Sequence, residues 1–164
     1  MPDAVTLFEM PSPFEAETGT ILMLEPPSAP AGELRAQLLD ESYPKPFVID
    51  DGKQRFLYFN VRLMQSAMAL RAPNALELRY TQKMMAFLLF HPRPKRIDLI
   101  GLGGGSLIKF CYHRLPGTQL TAVELDPDVI ALRDAFELPP DGPRLRVLQA
   151  DGAEYLAQAE EGID

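Results

Sequence analysis

Apolar and polar positions divide this chain of 164 residues into two differently patterned parts. In the first, TILMLE (20–25) reads as a strand and GELRAQLLDE (32–41) as a short helix. PFVID (46–50) and QRFLYFN (54–60) are β-rich runs flanking an Asp-Gly turn, which predicts a hairpin. VRLMQSAMAL (61–70) suits a further strand or a helix, and its periodicity does not decide between them. Eight of the 16 prolines lie at positions 2, 11, 13, 26, 27, 30, 44 and 46, so only short elements are expected up to there.

The pattern changes at Pro73-Asn74. ALELRYTQKMMAFLLF (75–90) spaces its apolar residues for one amphipathic helix capped by Asn74 and stopped by the prolines of HPRPKR. From residue 97 strands and helices alternate: RIDLIG, SLIKFCYHRL, QLTAVEL, PDVIALRDAF, RLRVLQA and GAEYLAQAE. Such alternation predicts right-handed βαβ units and a parallel sheet. The expected fold class is α/β. A small β-rich N-terminal domain (1–73) precedes a Rossmann-like nucleoside-binding unit (74–164).

Composition narrows the partners. A net charge of −7 disfavours nucleic acid, because phosphate binding needs a basic face. The one dense basic cluster, Arg93-Pro94-Lys95-Arg96, reads as a solvated loop before a strand. Cys111 is the single cysteine, which excludes a disulfide framework and a cysteine-based metal site; beside Phe110, a buried thiol is expected. The acidic start MPDAVTLFEM does not look like a signal peptide, and no segment approaches the ~18 apolar residues of a membrane helix. A cytoplasmic protein with no membrane partner is the expectation.

Candidate chemistry begins at Gly101-Leu102-Gly103-Gly104-Gly105-Ser106, between the first strand of the alternating part and its helix. Glycines there permit positive φ and remove side chains from a ligand's path. Ser106 can cap the helix, whose N-terminal amides favour an anionic group. Glu124 ends the second strand about twenty residues on, where a carboxylate can accept from two ribose hydroxyls. Asp126, before Pro127, reads as a helix cap. Asp151-Gly152 follows the third strand; Asp151 is either a cap or an acceptor for an adenine amino group, with Gly152 leaving room for the ring. All three features sit at carboxyl ends of successive parallel strands, where open α/β sheets bind ligands. Together they point to an adenosine-containing ligand. Ser106 stands where a dinucleotide fingerprint wants glycine or alanine, so the spacing favours a sulfonium nucleoside over NAD.

From about residue 46 onward the chain resembles the spermidine synthase (polyamine aminopropyltransferase) family of class I adenosylmethionine-dependent transferases. The DDG hairpin, MQSAM (64–68), ELRYTQKMM (77–85), HPRPKRIDLIGLGGGS (91–106), AVELDPDVI (122–130) and LQADGAEYL (148–156) carry the resemblance. It implies transfer of an aminopropyl group from decarboxylated S-adenosylmethionine to a small-molecule amine, with methylthioadenosine as product. It also implies that Glu124 holds the ribose, Asp151 and Gly152 the adenine end, and Gly103, Gly104 and Gly105 the cofactor tail. Gln65 and Tyr80 would line the cofactor and amine pocket.

The chain also departs from the family. Ser106 stands where the family carries an aspartate facing the cofactor's ammonium, which keeps S-adenosylmethionine and methyl transfer open as an alternative. A non-catalytic binding or assembly module is another. The family's amine is deprotonated by an acid beyond a fourth strand, and Glu160–Asp164 stops short of it. The expectation is therefore an incomplete sheet of three strands with no catalytic base, His91 and His113 being no substitutes. Ile97 and Leu99 would then lie on an open edge, which predicts homodimers or segment swapping through that edge or the N-terminal hairpin, or else a fragment of a longer protein.

Overall fold

The computed structural model describes residues 6–158. The first five residues and 159–164 lie outside the described residues, so part of the leader reading and the end of the last predicted helix fall there. β1 (Phe8–Pro11), β2 (Thr20–Met23), β3 (Phe47–Asp50), β4 (Gln54–Asn60) and β5 (Leu63–Ala69) form one antiparallel sheet in chain order, and α1 (Ala31–Leu39) lies between β2 and β3. The undecided stretch 61–70 is thus a strand. It pairs with β4 through a register shift near Tyr58, and Asn60 Oδ1 accepts the Arg62 N–H at 3.0 Å to shape the turn between them. The predicted Asp-Gly hairpin forms: Asp51 Oδ1 accepts from the N–H groups of Lys53 (2.8 Å) and Gln54 (2.7 Å).

Both faces of this sheet are covered, and the side-chain period of two sorts them. Ile21, Met23, Phe47, Ile49 and Tyr58 pack with Leu34 and Leu38 of α1. Their sequence neighbours Leu22, Val48 and Leu57, with Met68, pack instead against Leu102, Ile108, Leu120 and Phe136. That double burial explains why FVI and ILM read as continuous apolar runs.

The second sheet is parallel, in the order β6 (Arg96–Ile100), β7 (Gln119–Glu124), β8 (Leu145–Gln149). α3 (Ser106–Arg114), α4 (Pro127–Ala131) and α5 (Gly152–Gln158) follow the three strands in turn; α2 (Arg79–Met84) comes before them. The fold class is mixed α/β as expected, and β6 is an edge strand. On β6, Asp98 accepts from the Tyr155 hydroxyl of α5 at 2.6 Å and from Arg96 at 2.8 Å.

Two predicted helices are corrected. Residues 75–90 do not form one amphipathic helix capped by Asn74. α2 is six residues long with Leu78 at its N-cap and no capping side chain, and Met85–Leu89 tightens into a 3-10 turn. An amphipathic helix this short is held by burying its apolar face, yet Leu89 and Phe90 are 81% and 82% exposed. The predicted helix PDVIALRDAF likewise breaks after Ala131, continuing as a 3-10 turn Arg133–Phe136 that ends at Glu137 in left-handed geometry (φ 55°). No helix among the described residues is long and apolar enough to cross a membrane.

Candidate functional site

The glycine turn joins the end of β6 to α3, and its glycines are not equivalent. Gly101, Gly103 and Gly105 hold φ of 90°, 52° and 67°, which glycine alone adopts freely. A Cβ added at Gly101 meets nothing within 4 Å, and at Gly103 only the Ser66 Cβ at 4.0 Å. Those two positions open into free space. At Gly104 a Cβ would lie 2.7 Å from Ser66 Oγ and 2.9 Å from Phe136 Cδ1, and at Gly105 it would strike Leu138 Cδ1. Gly104 and Gly105 are thus accounted for by packing of the turn onto β5 and the segment after α4.

Ser106 does not cap α3. Gly105 occupies the N-cap position in left-handed geometry, so Ser106 is already the first helical residue and makes no capping bond. Its Oγ lies instead 3.3 Å from Ser66 Oγ. Glu124, the last residue of β7, holds the turn: its Oε2 accepts the Leu102 N–H at 2.8 Å, and its Oε1 accepts the Asp126 N–H at 3.0 Å. A carboxylate offers about four lone-pair sites, so two remain for a ligand.

Around Glu124 and the open glycines lies a cleft of about 370 Å³ between β5, α2 and the ends of β6 and β7. Gly101, Gly103, Ser106, Glu124, Gln65 and Tyr80 line it, together with Phe59, Ser66, Thr81 and Met84. Glu124 is the charged side chain among the lining residues. The half-exposed Tyr80 places its hydroxyl 3.5 Å from the Gln65 carbonyl oxygen.

Gly104, Gly105, Asp151 and Gly152 are not among the lining residues. Asp151 Oδ1 accepts from the N–H groups of Ala153 (2.7 Å) and Glu154 (3.0 Å), so of its two sequence readings the cap is formed. The space beside Gly152 is filled by the Ile100 side chain, not left open. Asp126 caps α4 as expected, accepting the Asp128 N–H at 2.8 Å. His91 and His113 are not in the cleft either, and His113 packs edge-on against Tyr112. Cys111 is fully buried, which pushes its thiol up to about 11.

No family model matches the chain. A polyamine aminopropyltransferase of Neisseria meningitidis is 41% identical over 116 residues, covering 70% of this chain and 44% of that protein. Another, from Chromobacterium violaceum, is 40% identical over 117 residues, covering 71% of this chain and 45% of that protein. This chain is a relative of the polyamine aminopropyltransferases. It spans about half the length of the curated relatives it matches. A probable spermidine synthase from Corynebacterium glutamicum aligns in structure with a TM-score of 0.54 over 70% of this chain and 44% of that one. At 22% identity that likeness shows the shared fold.

In this aminopropyltransferase relative, sequence reading gave no site role to three residues, two that line the cleft and one, Lys109, that does not. Ser66 and Thr81 adjoin residues that were singled out, yet both are buried polar groups and both line the cleft. Alternation along β5 turns Ser66 toward the glycine turn, a signal usable only once 61–70 is known to be a strand. Lys109 is the third. It is fully buried, donates to the Phe136 carbonyl at 2.7 Å and lies 2.9 Å from Met68 Sδ. Nothing in SLIKFCYHRL marks that lysine as an inward one.

Proposed function

We propose that this chain is the nucleoside-binding part of a spermidine synthase-like aminopropyltransferase, its cleft taking an adenosylmethionine-derived ligand and, next to it, a small-molecule amine. The observation that carries this reading is Glu124. It stands at the carboxyl end of a parallel strand, fixes the glycine turn, and keeps acceptor capacity toward a cleft flanked by two open glycines. The cleft also falls within the ordinary size range of small-molecule sites, about 300–1,000 Å³.

The residues divide the work by chemistry. Glu124 accepts from the ribose hydroxyls, and Gly101 and Gly103 let the ligand approach the backbone. Ile100 and Leu125, 50% and 64% exposed, offer apolar surface beside Glu124 for a purine. Asp151 keeps Oδ2 for the adenine amino group while Oδ1 caps α5. Gln65 and Tyr80 line the side where the tail and the amine would meet. Bound there, the sulfonium makes its neighbouring carbon electrophilic, so that an amine nitrogen forms the new N–C bond, the C–S electron pair leaves on sulfur as methylthioadenosine, and one amine proton passes to a base. No residue of the cleft is assigned as that base.

One observation favours a second reading. Glu124 is the lone charge among the lining residues, so they offer no second carboxylate to a cationic aminopropyl tail. The neutral Ser66 and Ser106 hydroxyls suit the zwitterionic tail of S-adenosylmethionine, and hence methyl transfer. Calorimetric titration with S-adenosylmethionine, its decarboxylated form, methylthioadenosine and NAD separates the two. Tightest binding of the decarboxylated form or of methylthioadenosine supports aminopropyl transfer, and preference for S-adenosylmethionine supports methyl transfer. Tighter binding of NAD than of every sulfur nucleoside overturns both.

A further inference from the structure

We propose that Lys109 is a positioning residue: its buried ammonium ties β5 to the Phe136 segment, the two pieces packed against Gly104 of the glycine turn, and so sets the shape of the cleft. The proposal deepens the functional reading above, on which its ligand-binding consequence rests; the clamp itself rests on geometry alone.

The two pieces meet the turn at Gly104. A Cβ there would run into both Ser66 of β5 and Phe136. Neither belongs to the turn: Ser66 comes from the antiparallel sheet, and Phe136 ends the 3-10 turn after α4. Both pieces pack close to the Gly104 backbone, each within about 3 Å of where a Cβ would lie, so their mutual position bears on the turn.

Lys109 contacts the backbone of Phe136 and a strand neighbour of Ser66. On α3, one turn beyond Ser106, its Nζ donates to the Phe136 carbonyl at 2.7 Å and sits 2.9 Å from the sulfur of Met68. Met68 lies two residues beyond Ser66 on the same strand, hence on the same face. One ammonium thus links the strand bearing Ser66 to the backbone of Phe136. The Lys109 N–H also bonds the Gly105 carbonyl at 2.9 Å, so the clamp is anchored in the turn's own helix.

Stability alone is a poor account of this lysine. A fully buried ammonium without a carboxylate in hydrogen-bond contact costs desolvation that an apolar side chain of similar length would avoid. Burial pushes the ammonium down to about 8, and the field of Glu137, one residue past Phe136, acts in the opposite direction. A group that costs stability yet joins three elements behind the glycine turn fits a role in geometry.

The test compares Lys109→Met with wild type by amide hydrogen exchange in the unliganded protein. Loss of the clamp is expected to lower protection at 102–107 by at least tenfold while β7 amides keep theirs and the melting temperature stays level or rises. Unchanged protection at the turn, or an equal loss in the turn and β7, overturns the proposal. A second variant stands beside it should the first not fold: Met68→Leu removes the sulfur partner and keeps Lys109, so lowered protection at 102–107 supports the clamp and unchanged protection there overturns it. Methylthioadenosine affinity supplies the functional arm: a drop of tenfold or more in Lys109→Met supports the cleft-shaping role, and equal affinity overturns it. If wild type binds no sulfur nucleoside, the functional reading fails, and the exchange result still decides the clamp.

Discussion

The two sheets solve opposite problems. The antiparallel sheet is local and closed: each strand pairs with its sequence neighbour, and helix and parallel unit cover its two faces. The parallel sheet is open. Its three strands end together at Ile100, Glu124 and Gln149, the glycine turn and Glu124 sit at those ends, and among the described residues β6 has no partner on its outer side. In the first unit Gly19 packs against the Asp50 carbonyl, whereas Gly101 and Gly103 at the end of β6 face open space on the ligand side. The contrast teaches where to look for chemistry: at the end of the structure that is not self-satisfied.

Four substitutions sharpen that contrast. The largest effect is expected at Gly19, between β1 and β2. With φ of 137°, a Cβ there collides with the Asp50 carbonyl, and the obstacle is backbone that cannot step aside. Gly19→Ala should cost about 3 kcal/mol and lower the melting temperature by roughly 6–12 °C. Gly103→Ala should cost about 1–2 kcal/mol of conformational strain, since its surroundings leave space, while weakening nucleoside binding more than tenfold. If Gly103→Ala proves the more damaging to stability, or leaves binding intact, the division between closing and opening glycines fails.

The edges differ in the same sense. β1 is four residues long and ends in Pro11, which blunts it as natural edge strands are blunted. β6 carries Ile97, Leu99 and a half-exposed Ile100. Concentration-dependent association through β6 is expected in light scattering, reduced by Ile100→Lys; a monodisperse monomer at high concentration contradicts it. The smallest effect concerns acid. Burial alone would raise the Asp98 carboxyl, but hydrogen bonds from Arg96 and Tyr155 outweigh it and leave it below the ordinary carboxylate range. A lowered folded-state pKa stabilises above about 4 and is lost as pH falls through the folded value. Tyr155→Phe should therefore flatten the pH dependence of melting below about pH 4 by roughly 1 kcal/mol or less.

Much of this was legible in the residues, for reasons that also explain the failures. Strand-helix alternation after residue 97, the Asp-Gly hairpin and the Asp126 cap each depend on local chemistry and came out as read. Residues 75–90 did not, because their apolar spacing promised a buried face that α2 and the 3-10 turn after it do not find. Ser106 was misread as a cap because the preceding glycine's left-handed geometry is invisible in sequence. Gly104, Gly105 and Gly152 were read as ligand glycines, and the structure gives each a packing reason as well, the side chain of Ser66, Leu138 or Ile100 brought from elsewhere. Lys109 was missed for the same reason, since its partners lie 27 and 41 residues away.

The most direct test of the nucleoside cleft is calorimetric titration of wild type and Glu124→Ala with methylthioadenosine. The predicted result is binding to wild type and a loss of roughly 1.5–3 kcal/mol in the variant, the scale of hydrogen bonds to a charged group. Equal affinity of the two proteins would mean that Glu124 only braces the loop at the end of β7, and would contradict the assignment.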